Sequence, residues 1–102
     1  VTTAITVANS YKLQHNPTTG DTADIVAATD IGTNDTAAGT TLGLGLGTTT
    51  APPKLMVGGG GLPAPLILPI GQVEHVSLGT DGVILWYVTW TPYEDGATLV
   101  AA

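Results

Sequence analysis

His75 and Ser77 stand two apart in V73-E-H-V-S-L78. On an extended strand, residues at i and i+2 point to the same side, so the imidazole and the hydroxyl share a face. Such a pair suggests nucleophilic chemistry, which also needs an acid to orient the base and an oxyanion hole. No G-x-S-x-G elbow surrounds Ser77, and that elbow is what exposes a serine nucleophile at a sharp turn. Polar alternation on one strand face accounts for the pair. His15, beside Asn16-Pro17, reads as a surface residue flanking a turn.

Other residues raise further chemistry. Asp21, Asp24, Asp30 and Asp35 lie close in sequence, and carboxylates that converge can hold calcium. The loop spacing that makes them converge, with acids at every second position before a glycine, is absent. Ordinary solubilising loop charge explains them. Gly43, Gly45 and Gly47 are followed by Thr48, Thr49, Thr50 and Pro52. A dinucleotide fingerprint needs G-x-G-x-x-G between a strand and a helix. G58-G-G-G61 lacks the Lys-Ser/Thr of a phosphate-binding loop. Glu94 and Asp95 are neighbours in a turn, whereas paired acids for glycoside chemistry face each other across a sugar. An enzyme is therefore not expected, and neither is a cofactor or a metal.

What remains is aromatic. Trp86, Tyr87, Trp90 and Tyr93 fall within V83-I-L-W-Y-V-T-W-T-P-Y93. At period two, Val83, Leu85, Tyr87 and Thr89 lie on one face of this segment, and Ile84, Trp86, Val88 and Trp90 on the other. A strand at the surface of a small domain has one wet face; this one has none. These rings serve as a core, as a protein interface, where aromatics are favoured, or as a platform for sugars. L42-G-L-G-L-G47 raises a parallel question. Leu42, Leu44 and Leu46 share one face with only glycine behind them, which admits another backbone or a ring at close range. The alternative is an arm that orders when its leucines find a groove.

The elements that hold these residues read as strands. Thr2–Ala8, Tyr11–Gln14, Ala23–Thr29, Lys54–Val57, Leu66–Ile70 and Val73–Leu78 are extended segments. N16-P-T-T-G-D21 is a turn. G79-T-D-G82 is a hairpin loop feeding Val83–Trp90, the longest predicted strand. Pro92 and E94-D-G96 make a second turn before a short strand over Ala97–Ala101. Pro63 and Pro65 suit an edge or an arm. No capped helix-period segment occurs. The expected fold is all-β: one domain over residues 1–102, a small sandwich or barrel of six to eight strands. A Gly/Thr-rich arm or loop is expected at about 30–53.

Composition narrows the function classes. The 102 residues include two Lys, eight acidic residues and no cysteine, for a net charge of −6. Nucleic-acid and anionic-membrane binding both need clustered Lys and Arg, so neither is expected. Disulfides and thiolate metal sites are excluded. The start, V1-T-T-A-I-T-V-A-N-S10, has no basic n-region or apolar h-region, and a soluble protein made without an export tag is expected. Fourteen glycines and no phenylalanine give a thin core, so association with copies or a partner would supply the missing burial.

The C-terminal hairpin, an aromatic strand followed by T91-P-Y-E-D-G-A-T-L-V-A-A102, resembles the ending of small structural proteins of tailed bacteriophages. The acidic, cysteine-free, Gly/Thr/Ala-rich composition is similar as well. Within that group the best fit is the capsid decoration, or cement, proteins. The resemblance implies a β-rich body with an extended arm, and a homo-oligomer, a trimer ahead of a dimer. It implies the major capsid protein as partner and a place on the outside of the virion head, after synthesis in the host cytoplasm. It carries over no catalytic residue. Leu42, Leu44, Leu46, Trp86, Tyr87, Trp90 and Tyr93 are then the interface candidates. The alternative reading is a carbohydrate-binding, fibre or tail module of a phage particle.

Overall fold

The computed structural model describes residues 1–45, 52–60, 66–79 and 81–101. Among these there are strands and no helix. Five strands form two antiparallel sheets: β1 (Ser10–Pro17), β2 (Ala23–Asp30) and β5 (Gly71–Ser77) in the order β2-β1-β5, and β3 (Leu42–Leu44) with β4 (Leu55–Val57). The expected all-β class is observed as this three-plus-two arrangement.

Alternation decides what β1 buries. Tyr11 and His15 are buried and Leu13 packs against the core, with Lys12, Gln14 and Asn16 between them. Pro17 ends the strand, where its missing N–H costs no ladder bond. The turn that follows uses Gly20 at φ +109°, a conformation glycine adopts without a Cβ clash. β2 then returns beside β1 from Ala23 opposite His15 to Asp30 opposite Ser10. Two register shifts interrupt the ladder, from Tyr11↔Thr29 to Leu13↔Val26 and on to Gln14↔Asp24. Each leaves an extra residue on β2, and such bulges re-aim side chains. Here they let the adjacent Ile25 and Val26 both be buried. The β1–β5 ladder is regular from Tyr11↔Ser77 to Pro17↔Gly71.

His15 is a correction to the sequence reading: it is 6% exposed rather than a surface residue. It sits on the central strand, opposite Ala23 on one side and Val73 on the other. Its Nε2 lies 3.0 Å from the Pro69 carbonyl oxygen, so the segment before β5 supplies its polar partner.

The smaller sheet packs through glycine. A Cβ on Gly43 would lie 1.8 Å from the Gly59 carbonyl oxygen, so the bare back of Leu42–Leu44 admits the Gly58–Gly60 backbone. Leu44 pairs with Leu55 on one side and Gly60 on the other. The two sheets join where the Ala27 amide donates to the Pro53 carbonyl at 2.8 Å. Ile5, Tyr11, Ile25, Val26 and Leu55 form the buried core. Leu42, Leu44, Ile84 and Trp86 are among the half-buried residues around it.

Four predicted strands differ. Thr2–Ala8 makes only single bridges, Thr3 to Val83 and Ile5 to Thr36. Leu66–Ile70 lies outside the ladders and is exposed. Val83–Trp90 is not the second arm of a hairpin with β5; among the described residues its one bridge is Val83 to Thr3. Nor is Ala97–Ala101 a strand. The cause of the lost hairpin lies in the connection. The Leu78 amide donates to Asn9 Oδ1 at 3.1 Å, and the Thr6 amide and hydroxyl donate to Asp81 Oδ2 at 2.7 and 2.9 Å. The Tyr11 hydroxyl donates to the Asp81 carbonyl. These bonds draw the chain across to the N-terminal segment instead of back along β5. Gly82 does take the expected positive φ, +80°, but it serves this crossing.

Candidate functional site

The chemical candidates are held in structural roles. Ser77 Oγ accepts from Asn9 Nδ2 at 2.6 Å and from the Gly79 amide at 3.2 Å. A hydroxyl so occupied is not presented to His75, and among the described residues no hydrogen bond joins the two. His75 lies instead between two rings. Tyr11 stacks on it at 5.8 Å and 19°, and Trp86 meets it edge-on at 5.6 Å and 65°. Partial burial against them lowers the imidazole pKa below its ordinary value, because desolvation disfavours the charged form.

The aspartates are dispersed. Asp24 pairs with Lys12 at 2.9 Å on the sheet surface, where such pairs contribute little. Asp30 closes the turn after β2. Its Oδ2 accepts from the Thr33 hydroxyl, and its Oδ1 from the Gly32, Thr33 and Asn9 amides at 2.9, 3.1 and 3.2 Å. The Thr33 hydroxyl and then the Gly32 and Thr33 amides hold its pKa at about 2. Glu74 accepts from Gln14 and Asn16 across the β1–β5 ladder, and both bonds lower its pKa. Asp81 is lowered by the Thr6 amide and then its hydroxyl. Among the described residues no three His, Cys, Asp or Glu side chains converge as metal ligands do. A shallow, open depression beside the β1 end is lined by Asn16, Pro17, Thr18, Ile70, Gly71 and Gln72. It holds no titratable side chain that could act as acid, base or nucleophile.

The interface candidates divide by position. Leu42, Leu44 and Trp86 pack against the core. Trp86 is half-buried, and its indole Nε1 is buried without a hydrogen-bond partner among the described residues. Tyr87, Trp90 and Tyr93 are 88%, 47% and 75% exposed. Leu46 lies outside the described residues, as do Pro63 and Pro65. Alternation survives along the arm only to Tyr87: Ile84 and Trp86 face inward, Val83, Leu85 and Tyr87 outward. From Val88 to Ala101 every residue is exposed.

The most distinctive surface is therefore this arm together with the free side of β5. β5 is a terminal strand of its sheet, and Gly71, Gln72, Val73 and His75 are exposed along it. Across the described residues seventeen large hydrophobic side chains are exposed against five buried, and Val83, Leu85, Tyr87, Val88 and Trp90 of the arm are among the exposed ones. Reading the sequence alone missed the anchoring roles of Asn9 and Asp81. The only local signals were Asn9 before a strand and Asp81-Gly82 after one, and neither reveals a partner some seventy residues away. Set against known proteins, the chain matches no family model, no curated protein and no solved structure.

Proposed function

We propose that the chain is a non-catalytic structural subunit of a virion, a capsid decoration protein. It docks on the outer surface of a phage head and ties neighbouring copies of the major capsid protein together. The observation that carries this reading is the exposed stretch from Val88 to Ala101, which leaves Val88, Trp90, Tyr93, Leu99 and Val100 uncovered beside a core of five buried hydrophobic residues. A subunit held in a lattice by many weak contacts tolerates a thin core, because binding to the folded form stabilises it by mass action. In the lattice the three-stranded sheet gains its second layer, completing the small sandwich expected from the sequence. The subunit works as an oligomer, a trimer ahead of a dimer.

The test is occupancy on mature heads from which decoration protein has been removed. The purified chain should cosediment with them at saturable stoichiometry and raise the temperature at which they rupture. Absence of cosedimentation on heads that bind their own decoration protein would sink the reading.

A second reading, a carbohydrate-binding or fibre module, is favoured by the exposure of Trp90 and Tyr87. Stacking of a sugar on Trp90 would shift and protect its fluorescence. Titration with host-surface glycans checks this, and an unresponsive emission removes it.

A further inference from the structure

We propose that the arm beyond Trp86 adds as a strand to the free edge of β5 in a second copy of this chain, with Tyr87–Thr91 as the inserted segment. Two backbone rows in the fold lack partners among the described residues. β5 ends its sheet, so its outer row of N–H and C=O groups has no ladder partner among the described residues. Such an edge is a template for another strand. The arm offers the complementary row: after Val83, none of its residues up to Pro92 pairs with any described strand.

The arm's residues suit that role. Tyr87, Val88, Thr89, Trp90 and Thr91 are β-branched or aromatic, the types that pack best on a pleated surface. Pro92 cannot donate to a ladder and sets the end of the insertion. Five extended residues cover about 17 Å, within the reach of the seven-residue β5. No charged residue lies between Val83 and Tyr93, so no buried ion opposes the pairing.

The occupant is a second copy for two reasons. First, the pairing is the one the sequence encodes locally, β5 followed by an Asp-Gly turn and an apolar strand. Within one chain it is prevented, because Leu78 is tied to Asn9, and Asp81 to Thr6 and Tyr11. Between chains the same two segments meet without disturbing those ties, as in domain exchange. Second, the arm carries apolar surface for a copy to cover: Tyr87, Val88 and Trp90 are 88%, 61% and 47% exposed, and pairing on a neighbour would remove part of it from water. Each copy gives one arm and receives one, so a reciprocal pair or a closed ring both satisfy the contact.

The inference concerns the purified chain alone and stands apart from capsid binding. Light scattering of the full chain over a dilution series should give an oligomer that dissociates to monomer. Of Val88→Pro and Thr89→Pro, adjacent exposed positions, one removes the N–H that faces β5, and that variant should weaken association at least tenfold, with an unchanged far-ultraviolet circular dichroism spectrum. Since the chain has no cysteine, disulfide capture is unambiguous. Mixing V73C with V88C should yield the crossed dimer in excess over either self-dimer. A chain monomeric at every concentration overturns the proposal, as do V88P and T89P variants both as oligomeric as the parent. A doubly substituted V73C/V88C chain that closes only within itself would show that the arm folds back onto its own β5, and would overturn it too.

Discussion

Asp30 organises the turn after β2 through four hydrogen bonds to Thr33, Gly32 and Asn9, which hold its pKa at about 2 against an ordinary 3.8. A carboxylate with a lowered folded pKa stabilises the fold fully above its unfolded value and loses that contribution as pH falls. The stability supplied by Asp30 is therefore present above pH 3.8 and lost on acidification towards about 2. Glu74 and Asp81 are shifted in the same direction and add to the acid loss. Asp30→Asn keeps an acceptor but does not titrate. It should lower the melting temperature at neutral pH and flatten its dependence on pH in the acid range, read by thermal melts from pH 5 to 2. His75 works at a higher pH with the same outcome on acidification. Its lowered pKa favours the neutral ring in the fold, so stability is full above its unfolded value of 6.5 and falls as the ring is forced to charge. His75→Phe keeps a ring between Tyr11 and Trp86 and should narrow the difference in melting temperature between pH 7.5 and 5.5.

At the scale of the element, the β3–β4 sheet depends on the missing side chain of Gly43. A methyl there would meet the Gly59 carbonyl oxygen at 1.8 Å, a backbone atom that cannot rotate away. Gly43→Ala should destabilise the chain by about 1–3 kcal/mol, as overpacking does, measured by urea unfolding. Gly39→Ala is the contrasting control: its Cβ meets nothing within 4 Å, so only the strain of φ +87° remains. The close approach at Gly43 was one of two readings open in L42-G-L-G-L-G47, the other being an arm that orders on a groove, and the residues alone do not choose between them. β1, β4 and β5 were legible as extended segments between turn residues, to within a few positions at their ends, and β2, ambiguous by its own residues, from its β-like neighbours. The fate of Val83–Trp90 was not. Turn chemistry at Gly79–Gly82 is local information, whereas the bonds from Thr6, Tyr11 and Asn9 that redirect the chain depend on residues some seventy positions away. His15 was misread for a related reason: its neighbours Asn16-Pro17 announce a turn, but its burial comes from lying between two strands. The β5 edge could not be read at all, since an edge is defined by what fails to pair.

For the whole molecule, charge and apolar exposure act in opposition. The net charge of −6 opposes association of like copies, while burial of the exposed arm would favour it. Salt screens the repulsion, with a Debye length of about 10 Å at 0.1 M, and leaves apolar burial intact. Self-association should therefore tighten as sodium chloride rises from 20 to 500 mM, checked by sedimentation equilibrium. Weakening with salt would instead mean that opposite charges hold the copies together. The exposure of Trp90 gives a second readout: its fluorescence should become less accessible to acrylamide as the oligomer forms, and Trp90→Ala should remove most of that change.

The tie between the ends of the fold also sets the order in which the fold is made. Thr2 bonds to Val83, 81 positions along the chain, and Thr6 bonds to Asp81 across 75. The β1–β2 hairpin closes over a short turn, but β1 must wait for β5, and the N-terminal segment for Asp81 and Val83. Distant closures of this kind make folding slow. Until they occur, a nascent chain carries an open β1 edge where β5 will later lie. Its own β5 and a neighbour's compete for that edge, so refolding at high concentration should divide between the correct closure and entangled chains, and dilution should favour the former.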